Sequence, residues 1–257
     1  MAISPDYRTY TGARTAQSAA VLDAGLRAYM LRVYNWMTSG LLLTGVVAFG
    51  IANTSLISAF YAPVQTARGM MIQPTALAWI AIISPLAFVL VLSFGVNKLS
   101  TRTVQALFWA FCVAMGASLT SIFIQYTGVS IVRTFFITAA TFGGMSLYGY
   151  ATRTDLTKMG SFLMMGLMGI IIAGLVNMFL GSAGLQFAIS VIGVLVFVGL
   201  TAYDTQRIKA DYVQFSYAQG SDIAARRSVY DALSLLLNFI NLFMLLLQLT
   251  GNRNSSN

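Results

Sequence analysis

The chain has 257 residues, 58% of them hydrophobic and only 9% charged, which excludes an ordinary water-soluble domain. Its 15 basic residues against 7 acids, all aspartate, give a formal charge of +8. With no histidine and one cysteine, it has no His-based acid–base chemistry, no intramolecular disulfide and no cluster of His, Cys and Glu to hold a metal.

Residues 1–29 are polar and lack the apolar core and small-residue cleavage site of a secretion signal, so the first apolar helix is expected to act as its own uncleaved insertion signal. In this tail Val21, Leu22, Gly25, Leu26, Tyr29, Met30 and Val33 recur at helical spacing, with Asp23, Arg27 and Arg32 between them. The pattern predicts an interfacial amphipathic helix on the membrane surface, following a disordered start over residues 1–16. Seven apolar runs come next, at 33–53, 74–97, 104–126, 130–150, 160–180, 185–206 and 230–249. Each is long enough to cross a hydrocarbon core of about 30 Å as a helix. Stretches such as Met164 to Leu175 are apolar on every face, unlike the alternating strands of a membrane barrel. The predicted fold is all-α: a polytopic seven-transmembrane-helix bundle over residues 30–250, ending in a short external tail over 251–257.

The longest outward connection, 53–72, holds Pro63 and Gly69, and the longest inward one spans 210–227. Pro85 removes a backbone donor within the second run and predicts a kink. The pairs Ala114/Ser118, Ala139/Gly143 and Gly169/Ala173 have the small-xxx-small spacing that lets membrane helices approach closely. Cys112 falls inside the third run, where packing is its expected role.

Twelve Lys and Arg residues fall on the side of the N-terminus and three (Arg68, Arg133, Arg253) on the other. The positive-inside rule therefore puts the N-terminus in the cytoplasm and, after seven crossings, the C-terminus outside. This asymmetry and anionic lipid account for the net charge, so no nucleic-acid partner is implied.

A charge at membrane depth costs about 2.5–3.5 kcal/mol even on lenient scales, so function is sought among ionisable groups there. Asp6, Asp23, Asp155, Asp211 and Asp222 fall in aqueous segments, leaving Asp204 and Asp231. Asp204 ends the sixth run, either dipped into the bundle or paired with Arg207 at the water line. Asp231 is expected at the start of the seventh helix, where a carboxylate suits the positive helix terminus. Asn238 and Asn241, three residues apart, fit interhelical hydrogen bonding or the lining of a polar path.

Four stretches taken in order, Ser118 to Thr127 (SLTSIFIQYT), Ser146 to Lys158 (SLYGYATRTDLTK), Tyr203 to Gln206 (YDTQ) and Ala232 to Phe243 (ALSLLLNFINLF), resemble the bacterial branch of the Bax inhibitor family, the transmembrane Bax-inhibitor-motif proteins. The resemblance covers residues 30–250. It implies an inner-membrane calcium leak in which paired aspartates on the sixth and seventh helices share a proton, and a basic residue near the inner end of the second helix acts as a latch. Asp204 matches the first aspartate, and Lys98, or else Arg102, looks like the latch. The second aspartate is replaced, since the family's leucine-tyrosine-leucine-aspartate reads Leu235, Leu236, Leu237, Asn238. An amide neither ionises nor repels a carboxylate, so the paired switch is weakened or altered and any pH response falls chiefly to Asp204.

Calcium prefers six to eight oxygens, so Asp204 with the Asn238 amide predicts only weak, transient contact with the transported ion, Ca2+ or H+, and no bound cofactor. A second role implied by the resemblance is regulation of a membrane-anchored AAA protease through the basic N-terminal tail. Catalysis is not expected. A Ser–His protease needs histidine, an aspartyl protease needs two opposed aspartates, and a retinal pigment needs a lysine that Asp231 to Leu249 lacks.

Overall fold

The computed structural model describes residues 7–66, 69–96, 98–216 and 221–254, with side chains omitted at 7–21, 66, 69–70, 215–216 and 221. Among the described residues the regular structure is helix apart from one hairpin. Seven helices among them are long and apolar enough to cross a membrane: Leu22–Ala52, Ala76–Gly95, Thr101–Gln125, Gly128–Ala151, Thr157–Leu180, Ala183–Gln214 and Asp222–Thr250. The first of these belongs to α1 (Tyr7–Ala52). After it come a short α2 (Ile57–Phe60), strands β1 (Tyr61–Thr66) and β2 (Gly69–Pro74), and α3 (Ala76–Gly95). The third crossing breaks at Thr120 into α4 (Thr101–Leu119) and α5 (Ser121–Gln125). The remainder are α6 (Gly128–Ala151), α7 (Thr157–Leu180), α8 (Ala183–Ser216) and α9 (Ser221–Thr250).

Three boundaries differ from the sequence reading. Tyr7–Ala52 is one unbroken helix, not a surface helix that turns into the membrane; Leu26, Tyr29, Met30 and Val33 are buried and continue the packed face of the crossing. Helix thus replaces the expected disorder from Tyr7 onward, and residues 1–6 lie outside the described residues. The loop expected after Asn53 contains an antiparallel hairpin with Tyr61 opposite Pro74 and Thr66 opposite Gly69. Both strands are edges, so Pro63 forfeits no interior ladder bond. The connection expected over 210–227 is mostly helix, because no Gly or Pro falls in α8 between Leu200 and Ser216 and α9 already starts at Ser221.

The most buried crossing is α9, packed against α8, α1, α6 and α4, while α7 leans on α8 alone and is mostly exposed. Phe108, Phe111, Leu235 and Leu236 are fully buried in the main core. The end of the bundle bearing Lys98, Arg102, Arg153, Lys158, Arg207 and Lys209 is called the basic end below. Close helix approach occurs at Gly149, where a Cβ would lie 2.2 Å from the Ala202 carbonyl oxygen, and at Gly116, 2.6 Å from that of Thr44. Of the glycines in the predicted small-residue pairs, Gly143 and Gly169 face open space instead, with nothing within 4 Å of a built Cβ. Cys112 is buried in the core.

Candidate functional site

Asp204 lies on α8 toward the basic end and is only 6% exposed. Three donors from two helices engage its carboxylate. Asn238 Nδ2 on α9 donates to Oδ2 over 2.7 Å, Ser234 Oγ donates to the same oxygen over 2.9 Å, and Arg207 pairs with Oδ1 over 3.1 Å. Ser234 and Asn238 are four apart on α9, and Arg207 is three on from Asp204, so each pair falls on one helix face and the two faces meet along the α8/α9 seam. A buried carboxylate costs several kcal/mol unless its lone pairs and charge are met; here they are. The Arg207 side chain is 39% exposed, so it reaches down from the rim while its stem packs on the bundle. Both sequence alternatives for Asp204 are thus realised together: it is inside the bundle and it is paired with Arg207.

Other expected residues are placed differently. Lys98 and Arg102 are exposed, on or beside the turn from α3 to α4, and neither bonds Asp204. The cation at the carboxylate is Arg207, because α3 packs mainly on α4 whereas Arg207 shares a helix with Asp204. The turn after α3 is instead tied to α9 by Arg226, which donates to the Leu99 carbonyl over 3.0 Å, and by Thr101, which donates to the Asp222 carboxylate over 3.0 Å.

Asn241 is exposed and does not join Asn238 in the seam. Residues three apart still differ by about 60° around a helix, enough to leave a narrow interface. Asp231 is not at a helix start, since α9 begins at Ser221 and the acid in its first turn is Asp222. The polar turns from Ser221 to Tyr230 read as loop because their charges hid the helical period. Asp231 accepts from the Tyr29 hydroxyl of α1 over 2.5 Å and lies within electrostatic reach of Arg207 and Asp211. With Asp211, Arg226, Arg227 and Tyr230 it lines a cavity of about 300 Å³ at the basic end.

Two polar features had no clear signal in the sequence. Next to Asp204, Thr205 hydrogen-bonds Ser146 of α6 over 2.9 Å, and Ser146 in turn meets the Tyr34 hydroxyl of α1. At the far end Asn177 donates to Gln186, and Gln186 and Ser190 both donate to the Gln248 side-chain oxygen, over 3.1, 2.8 and 3.0 Å. Between the two polar ends Leu163, Val196, Phe197, Leu200 and Leu242 form an apolar layer. Hydroxyls and amides spaced by apolar turns are common in membrane helices, so only their assembly across five helices reveals a network. No group of three or more His, Cys, Asp or Glu side chains able to hold a metal occurs among the described residues.

This polytopic bundle with a carboxylate–amide contact between its last two helices has clear relatives. The family described as inhibitor of apoptosis-promoting Bax1 matches residues 26–255, and the chain belongs to that Bax inhibitor family. A protein of Rickettsia prowazekii is 46% identical over 93% of this chain and 95% of its own length. The inner membrane protein YbhL of Escherichia coli K12 is 46% identical over 90% of this chain and 94% of its own. A Caulobacter vibrioides protein is 44% identical over 90% of each.

Proposed function

We propose that this chain is a calcium (cation) leak protein of the bacterial inner membrane, oriented with its N-terminus in the cytoplasm, in which Asp204 is the central acidic group on a path along the α8/α9 seam. The observation that carries the reading is a carboxylate only 6% exposed, held by a neighbouring-helix amide at 2.7 Å and capped toward the basic end by Arg207. Ionisable groups inside membrane helices are rare, face the bundle interior in pairs and mark ion or proton pathways. The inner-membrane location is supported by the relative YbhL, and the orientation by the distribution of Lys and Arg.

In the conformation described, Asp204 is occupied by its three donors, and the apolar layer at Phe197, Leu200 and Leu242 separates it from the far polar cluster. That is a closed path. For a cation to reach Oδ1, Arg207 has to swing out toward the rim, and the Asn238 amide has to turn so that its oxygen replaces its nitrogen. One carboxylate and one amide oxygen give weak, transient contact suited to passage rather than storage. Because position 238 cannot ionise, the proton-sharing switch of a carboxylate pair is weakened or altered. The test is calcium entry into dye-loaded liposomes: the protein raises entry above that of empty vesicles, and Asp204→Ala alters it. Equal entry with the two proteins at every pH refutes the central role.

A second reading is regulation of a membrane-anchored AAA protease. Its support is that α1 extends from Tyr7 through the first crossing, so the chain is helical ahead of the membrane at the basic end. Deleting residues 2–20 leaves the leak intact and removes any effect on the protease.

A further inference from the structure

A large groove in the bundle lies away from the Asp204 seam. It runs between α1 and α6, has a volume of about 690 Å³, and is walled by Tyr34, Leu41, Phe135, Ala139, Gly143 and Tyr150, with Arg27 at its basic end. Small residues open it: a Cβ at Gly143 would meet nothing within 4 Å, so Ala139 and Gly143 leave a trough where the sequence suggested helix contact. Along α1 it extends from Arg27 to Leu41 and along α6 from Tyr150 back to Phe135, about 21–23 Å at 1.5 Å per residue. One leaflet with its headgroup layer is about 20–22 Å deep, so the groove is one lipid long.

Its charge is equally one-sided. Arg27 is the single charged residue in the lining, is exposed, and makes no ion pair with any described residue. Beside the same mouth Lys209 sits over the Tyr150 ring at 4.9 Å and donates to the Tyr150 carbonyl over 2.9 Å. We infer that this groove is a binding site for a phospholipid with a net-negative headgroup, one acyl chain lying between α1 and α6 and the headgroup phosphate on Arg27. The guanidinium supplies the bidentate phosphate contact, and no acid lines the mouth to favour a zwitterionic head. The far wall of the groove holds Ser146, whose hydroxyl bonds Tyr34 and Thr205, so the bound chain lies against the polar link to the Asp204 helix.

The experiment is native mass spectrometry of the full chain in mild detergent with equimolar dioleoylphosphatidylglycerol and dioleoylphosphatidylcholine. The wild type retains one phosphatidylglycerol in preference to phosphatidylcholine. Arg27→Gln lowers that preference roughly fivefold, as loss of one surface basic group implies. Gly143→Phe, which fills the trough, removes both adducts while circular dichroism shows unchanged helix content. Equal retention of the two lipids by the wild type, a preference that persists in Arg27→Gln, or undiminished adducts on a folded Gly143→Phe each overturn the assignment. Should Gly143→Phe lose helix content, the Arg27→Gln result decides alone, since that side chain is exposed and unpaired. Lipid retention requires no ion flux, so the outcome is independent of the leak assay.

Discussion

Asn238 on α9 donates its side-chain amide to Asp204 on α8 over 2.7 Å, at the position where the family pattern noted above has a second acid. The contact joins a group that titrates to one that does not. Asn238→Asp sets two carboxylates against each other at that separation, where both cannot stay ionised and one proton is shared. Calcium entry should then depend on pH more steeply than in the wild type. Superposable profiles would show that the coupled-carboxylate argument does not apply to this protein.

Arg207, paired with Asp204 at 3.1 Å, is the cation that closes the basic end of the seam. Arg207→Gln should raise calcium entry by freeing Oδ1, with a loss of about 3 kcal/mol in stability because the Asp204 carboxylate left without its counter-ion is buried. Lys98→Gln should change neither, since Lys98 is exposed and bonds no part of the site. The reverse pattern in side-by-side flux and thermal-melting measurements would return the latch to Lys98.

The bundle is tightest where Gly149 meets the Ala202 backbone and loosest at Gly143. Gly149→Ala should lower stability by about 2 kcal/mol or more, since the colliding atom is a backbone carbonyl that cannot rotate away. Gly143→Ala should be neutral or stabilising by up to about 1 kcal/mol through helix propensity. Thermal unfolding in one detergent compares the pair directly.

Asp155, in the turn before α7, accepts a 2.9 Å hydrogen bond from the Thr157 backbone N–H. Thr157, through its hydroxyl and then its backbone, and to a lesser degree Lys158, holds this carboxyl below the usual aspartate range. The contribution is therefore complete above the unfolded value near pH 4 and lost as pH falls through the lower folded value. Asp155→Asn should lower Tm slightly at neutral pH, and the gap should close in acid. A gap that is constant with pH would mean that the charge has no role.

The crossings were legible because apolar runs of membrane length leave little else to infer, and YDTQ together with the asparagine of LLLNF pointed to the Asp204–Asn238 contact. Charge hid the rest. The amphipathic turns of α9 before Asp231 and of α8 after Asp204 carry Arg, Lys and Asp at helical spacing, and hydropathy reads such stretches as loop. The pairing of Asp204 with Arg207 was one of the two alternatives read from the sequence, and its i,i+3 spacing is a local rule that outranks resemblance to a distant latch. The Thr205–Ser146–Tyr34 chain and the groove at Gly143 depend on which helices are neighbours, which spacing along one chain does not encode.

The most direct measurement compares wild type with Asp204→Asn in calcium-dye liposomes over a pH series. The substitution keeps the side chain's size, removes its charge and replaces one acceptor oxygen with a donor NH2 group. We expect the Asp204→Asn flux to differ from the wild-type flux. If the two curves coincide in rate and shape, Asp204 is not on the path.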